Sequence, residues 1–134
     1  MTATNKHNEA ARLLARLQRL LRAFGAAQCQ EDEAARILEA VARVTGIPAG
    51  KITGKSRKRP VADARKIAAW QMLQAGHSLP QVGRALHMHH TSVMYSRGAY
   101  QDLVSTCPLF RALASASEAA VKASLARAED AVFK

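Results

Sequence analysis

Residues 78–93 read Ser78-Leu79-Pro80-Gln81-Val82-Gly83-Arg84-Ala85-Leu86-His87-Met88-His89-His90-Thr91-Ser92-Val93, and the fold turns on how this stretch is parsed. Ser78 followed three positions later by Gln81 is a capping box: the serine accepts from the Gln81 backbone N–H while the glutamine side chain reaches back. Leu79, Val82 and Leu86 then share one face of a short helix. Gly83 inside that helix costs about 1 kcal/mol relative to alanine, so close packing against it is expected. His87-Met88-His89 leaves room only for a tight turn. A second helix is expected from His90 to about Val104, with Val93, Met94, Ala99 (with Tyr100) and Leu103 as its core positions. A short helix, a tight turn and a second helix opening with small polar residues is the helix-turn-helix pattern.

Toward the N-terminus lies the densest basic run of the chain: Lys51, Lys55, Arg57, Lys58 and Arg59, then Arg65 and Lys66, opposed only by Asp63. Pro60 suits the first turn of a helix, and that helix continues through Ile67, Ala68, Trp70 and Leu73 to Gly76. Gly50 and Gly54 mark the preceding segment as a short loop. Basic side chains on a loop that opens a helix are well placed for anions, because the backbone N–H groups there point the same way. The whole chain repeats this bias. Lys plus Arg is 20 against 10 for Asp plus Glu, a formal +10, and so large an excess on 134 residues attracts polyanions. Nucleic acid, an acidic membrane surface and an acidic protein all fit that field.

Further out, Ile37, Leu38, Val41 and Val44 form an inward stripe on a helix expected from Asp32 to Val44. Glu31, Asp32 and Glu33 sit at its start, where the dipole favours negative charge, and Thr45-Gly46-Ile47-Pro48 ends it. Leu13, Leu14, Leu17, Leu20, Leu21 and Phe24 fall at helical spacing from Asn8 onward, with Arg12, Arg16, Arg19 and Arg22 on other faces, and Gly25 is the expected stop. This amphipathic helix suits docking on the core or pairing with a second copy. From Pro108 to Phe133 the chain is Ala-rich, with Leu109, Phe110, Leu113, Val121, Leu125 and Val132 on one long or two shorter helices. Hydrophobic residues are 49% and aromatics 4%, which supports a helical core and disfavours a sandwich. The expectation is an all-α chain in three parts: an N-terminal amphipathic helix (1–29), a helix-turn-helix domain (30–105) and a C-terminal helical extension (106–134).

From Ile37 to about Leu103 the sequence resembles the C-terminal duplex-DNA-binding domain of the bacterial replication initiator DnaA, a Trp-repressor-like multi-helix fold. The resemblance rests on ordered features. Gly54-Lys55-Ser56-Arg57-Lys58-Arg59 matches the family's basic loop, and Val61 to Trp70 its following long helix. Ser78 to Gly83 matches the first helix of the helix-turn-helix, and His90-Thr91-Ser92-Val93 the signature opening its recognition helix. It implies base contacts in the major groove from His90, Thr91, Ser92 and His89, by hydroxyl hydrogen bonds and a threonine methyl against thymine. It also implies a minor-groove role for the basic loop, Arg57, Lys58 and Arg59, with Arg57 at the family's inserted arginine. Lys55, Arg65, Lys66, Gln81 and Arg97 would contact phosphates and set register.

The turn departs from the family. His87-Met88-His89 stands where the family has a glycine-containing turn with a basic and an acidic residue, and it is one residue shorter. Met88 replaces a charge and His89 an acidic cap, which puts the target sequence in question. No GxxxxGK[ST] stretch is present, so the reading is of the DNA-reading part without an ATPase module. His87, His89 and His90 lie too close on one turn to surround a metal. No nucleophile–base arrangement stands out, so neither an enzyme nor a cofactor is expected. Cys29 and Cys107 read as free thiols. Nothing at the N-terminus reads as a signal or membrane segment, which points to the cytoplasm, on the nucleoid. The function expected is sequence-specific binding of double-stranded DNA in the regulation of replication initiation or transcription. Nonspecific coating of DNA, or a helical adaptor capturing a replication protein, are the alternatives, and the terminal helices are compatible with a homodimer.

Overall fold

A computed structural model describes the backbone of residues 2–133 and the side chains of residues 8–25 and 28–128. All regular structure among the described residues is helical: α1 (Thr2–Thr45), α2 (Ala49–Ile52), α3 (Arg59–Gln74), α4 (Leu79–Leu86), α5 (His90–Thr106) and α6 (Pro108–Phe133). The chain divides into two units, Met1–Asp32 and Glu33–Lys134. None of these helices is long and apolar enough to cross a membrane, among the described residues.

The first unit is helix throughout its described backbone. The break expected at Gly25 and the fresh helix expected at Asp32 are both absent, because α1 runs on to Thr45. Gly25 does not take the positive φ of a helix-ending glycine; among the described glycines that conformation belongs to Gly46 and Gly76. A glycine within a helix costs about 1 kcal/mol, which neighbours such as Ala23 and Gln28 accommodate. Glu31, Asp32 and Glu33 therefore stand in mid-helix and meet no N-terminal dipole.

In the second unit, Glu33 has a different partner. Its Oε1 lies 3.0 Å from Nε2 of the buried His77, tying the last turns of α1 to the α3–α4 turn. Ala34, Ile37, Ala40 and Val41 enter the core from this part of α1. The helix stops where the sequence suggests: Thr45 Oγ1 donates to the Val41 carbonyl at 2.8 Å, and Gly46 takes φ +73°. The expected loop after Pro48 contains one turn of helix, α2, which buries Ile52.

Helix α3 is the hub. It packs against α2, α4, α5 and α6 and buries Val61, Ala64, Ile67, Ala68, Ala69 and Met72. Burial of its large apolar side chains contributes roughly 1.5–3 kcal/mol each, and the alanines let neighbouring helices approach. One helix, α6, forms the C-terminal segment, burying Phe110, Ala114, Ser117 and Val121 at alternating steps of four and three; Val132 lies outside the described side chains. An aromatic column joins three helices. Trp70 of α3 stacks on Tyr100 of α5 with centroids 4.5 Å apart, and Phe110 of α6 meets Tyr100 edge-on at 5.5 Å. Arg111 of α6 caps the end of α5, donating Nε to the Val104 carbonyl at 2.7 Å and Nη2 to that of Ser105 at 3.2 Å. The core positions of α5 are Val93 and Tyr100, with Ala99 and Leu103 half-buried. Met94, expected inward, is 46% exposed, because one more step of 100° carries it off the buried stripe.

Candidate nucleic-acid interface

Two stretches supply the exposed polar and basic groups, and α3 positions both. The first is the basic loop between α2 and α3. Its shape comes from Arg65, whose guanidinium faces three loop carbonyls: Nε donates to Ile52 at 2.8 Å, Nη1 to Ser56 at 3.1 Å and Nη2 to Gly54 at 2.6 Å. Carbonyls at alternate positions turn inward to one planar fork, a geometry that only arginine's rigid donor set satisfies. Lys55, Arg57, Lys58 and Arg59 are exposed around it. Arg65, expected on a phosphate, gives three of its five N–H donors to the loop carbonyls and so shapes the loop. The backbone N–H of Lys58 lies 3.4 Å from Ser56 Oγ, and Lys58 itself is the N-cap of α3.

Asp63 tempers the basic run. It stands 3.9 Å from both Arg59 and Lys66. Arg59 is well exposed and its long pair contributes little, so it stays available to an anion at small cost, whereas Lys66 and Asp63 are both partly buried.

The second stretch is the helix-turn-helix. The capping box forms as expected, with Ser78 N donating to Gln81 Oε1 at 2.8 Å and Gln81 N to Ser78 Oγ at 3.3 Å. Gln81, expected on a phosphate, thus spends its carbonyl oxygen on the cap. The turn closes through Met88 N to the Gly83 carbonyl at 2.7 Å, with His87 in the left-handed region at φ 55°. The chain folds so closely over α4 that a Cβ on Gly83 would sit 2.6 Å from the Met88 carbonyl oxygen. Gly83 is there for this backbone crossing, which is the close approach its sequence position calls for.

His89 caps α5. Its Nδ1 accepts from Thr91 N at 3.3 Å and lies 2.8 Å from Thr91 Oγ1, while its ring rests against that of His90, centroids 4.3 Å apart. The imidazole nitrogen thus performs the capping that an acidic side chain would otherwise supply. His89, His90, Thr91, Ser92 and Arg97 are all exposed. Met94 and Tyr95 (81% exposed) join this face; with Thr91 and Arg97 they line an open concavity of about 300 Å³. Sequence reasoning missed Met94 and Tyr95 as surface groups, although their placement three and four residues beyond Thr91 puts them on its face. It also missed the capping role of His89. No group of three metal-ligating side chains exists among the described residues, and Cys29 and Cys107 are free thiols.

A capped short helix, a left-handed tight turn and a second helix with an exposed polar opening define a helix-turn-helix protein. Residues 34–98 match the family described as bacterial DnaA protein helix-turn-helix, so the helix-turn-helix carried here is of the DnaA type. Over 62 residues, 45% of this chain, the sequence is 40% identical to the chromosomal replication initiator protein DnaA of Picosynechococcus sp. (strain ATCC 27264 / PCC 7002 / PR-6). The match spans 14% of that relative's length.

Proposed function

We propose that this chain binds double-stranded DNA, sequence-specifically, and acts in the control of replication initiation or transcription in the cytoplasm, on the nucleoid. The observation that carries the reading is the opening of α5: His90, Thr91 and Ser92 stand exposed on a helix end held rigidly by the His89 cap and the Gly83 turn. Short hydroxyl side chains in that position reach base edges when a helix lies in the major groove. Met94 and Tyr95 add apolar contact of the kind that suits a thymine methyl. Arg57 on the braced loop enters the adjacent minor groove, and Lys55, Lys58, Arg59, Lys66 and Arg97 meet phosphates. The chain works by binding, not by catalysis.

Fluorescence anisotropy with two labelled duplexes, one bearing an initiator-type box and one scrambled, tests this across ~50 to 200 mM salt. A preference of ~10³-fold or more for the box is expected. Thr91→Ala should erode that preference. Lys58→Ala should weaken both duplexes alike and lower the salt slope by about 1. Equal binding that collapses with salt would replace the proposal with nonspecific coating of DNA. Binding to neither duplex would refute it.

A further inference from the structure

The exposed apolar residues of the chain are concentrated in the first unit. Leu13, Leu14, Leu17, Leu20, Leu21 and Phe24 of α1 are between 56% (Leu17) and 69% (Leu21) exposed. From Ala10 onward, Leu13, Leu17, Leu20 and Phe24 follow steps of three, four, three and four residues, the spacing of a two-helix seam. At 100° per residue these side chains, with Leu14 and Leu21, occupy an arc ~120° wide. Arg12, Arg19 and Arg22 fall on the opposite side, and Arg16 at its edge. We propose that this face is a self-association surface, on which α1 of a second copy of this chain packs antiparallel.

Area, charge and register each favour that occupant. Covering six side chains of this size removes on the order of 100 Å² of apolar surface apiece, hence ~600 Å² per chain. That approaches the ~800 Å² per partner of a stable interface. An acidic partner seated on the apolar arc would meet only Arg16, since the other three arginines point away from it. A second copy leaves those arginines in solvent and confronts no like charges across the seam.

The direction follows from the flanking positions. Run parallel, the two helices would set Leu21 of one against Arg16 of the other, and Leu14 against Glu9. Run antiparallel about a centre between residues 18 and 19, they set Leu13 against Phe24, Leu17 against Leu20, Leu14 against Leu21, and Arg16 against Ala23. Only the second arrangement buries both flanking leucines against apolar neighbours. The pair would carry two helix-turn-helix units per assembly.

Analytical ultracentrifugation of the full chain, without DNA, gives the test. The mass should rise from 14.5 kDa toward twice that as concentration increases from ~1 to ~100 μM, the range of a modest affinity. Leu17→Ser with Leu20→Ser should hold the protein monomeric, and Arg19→Ala with Arg22→Ala should not. Circular dichroism keeps the comparison fair; if the seam variant loses helicity, Leu17→Gln with Leu20→Gln, better helix formers, takes its place. With Cys29 and Cys107 changed to Ser, a Leu13→Cys chain mixed with a Phe24→Cys chain should cross-link to each other on mild oxidation. A wild-type monomer throughout the range, or a dimer surviving both seam variants, overturns the proposal. Cross-links formed only between like chains overturn the antiparallel register. DNA affinity enters none of these readouts, so the DNA reading stands or falls separately.

Discussion

Replacing Arg65 with lysine separates a residue that shapes the basic loop from one that merely supplies charge. Lysine keeps the positive charge but reduces three directed donations, at 2.8, 3.1 and 2.6 Å, to at most one or two. Hydrogen bonds from a charged group contribute about 1.5–3 kcal/mol each, but these three share one half-buried guanidinium and the released carbonyls regain water. A net loss of about 1–3 kcal/mol in folding stability is expected. Binding should suffer independently. If two residues of the released loop must be fixed again when it meets DNA, at about 1–2 kcal/mol each, affinity falls roughly 30- to 700-fold by the conversion of 1.4 kcal/mol per tenfold. The salt slope should hold, since the count of cations is unchanged. Trp70, the single tryptophan, reports urea unfolding by its fluorescence, and anisotropy reads the DNA. A lysine variant with wild-type affinity and stability would show Arg65 to be an interchangeable phosphate contact and refute the loop argument.

Other outcomes follow from single contacts. Gly83→Ala drives a methyl to 2.6 Å from the Met88 carbonyl oxygen and should cost about 1–3 kcal/mol, seen as a lowered urea midpoint; an unchanged midpoint would mean the turn shifts freely. Ser117 Oγ is buried with no hydrogen-bond partner, so Ser117→Ala should stabilise by about 1 kcal/mol, measured as a raised Tm. Burial, and secondarily Glu118, holds the Tyr100 hydroxyl above its ordinary range of 10.0. The unfolded chain then ionises first, so this contribution is intact below pH ~10 and is lost as pH rises through the folded value. Tyr100→Phe should flatten the alkaline fall in stability, and an identical fall in both proteins would assign it elsewhere.

Local chemistry made much of this protein legible. The Ser78–Gln81 box, the short helix α4 carrying Leu79, Val82 and Leu86, the start of α5 near His90 and the stop at Gly46 depend on neighbours a few positions away, and all appear as the sequence reads. The helix-turn-helix and its DnaA-type character were legible for the same reason: their signature residues lie in one ordered stretch. Gly25 misled because a glycine stops a helix only when it takes positive φ, and composition does not declare φ. Met94 misled because an apolar residue beside Val93 reads as core until a partner helix defines which side is buried. Arg65 looked like one cation among many in the basic run. That its fork gathers carbonyls from residues 52, 54 and 56 is a meeting of segments nine to thirteen positions apart, and the same holds for His77 and Glu33, 44 apart. Sequence settled the capping box of α4, the start of α5 and the stop at Gly46, because those depend on short-range hydrogen bonds. Which charges stay exposed and which are consumed in building the loop was decided only when α3 packed at the centre, because a donor's availability depends on what folding brings within about 3 Å of it.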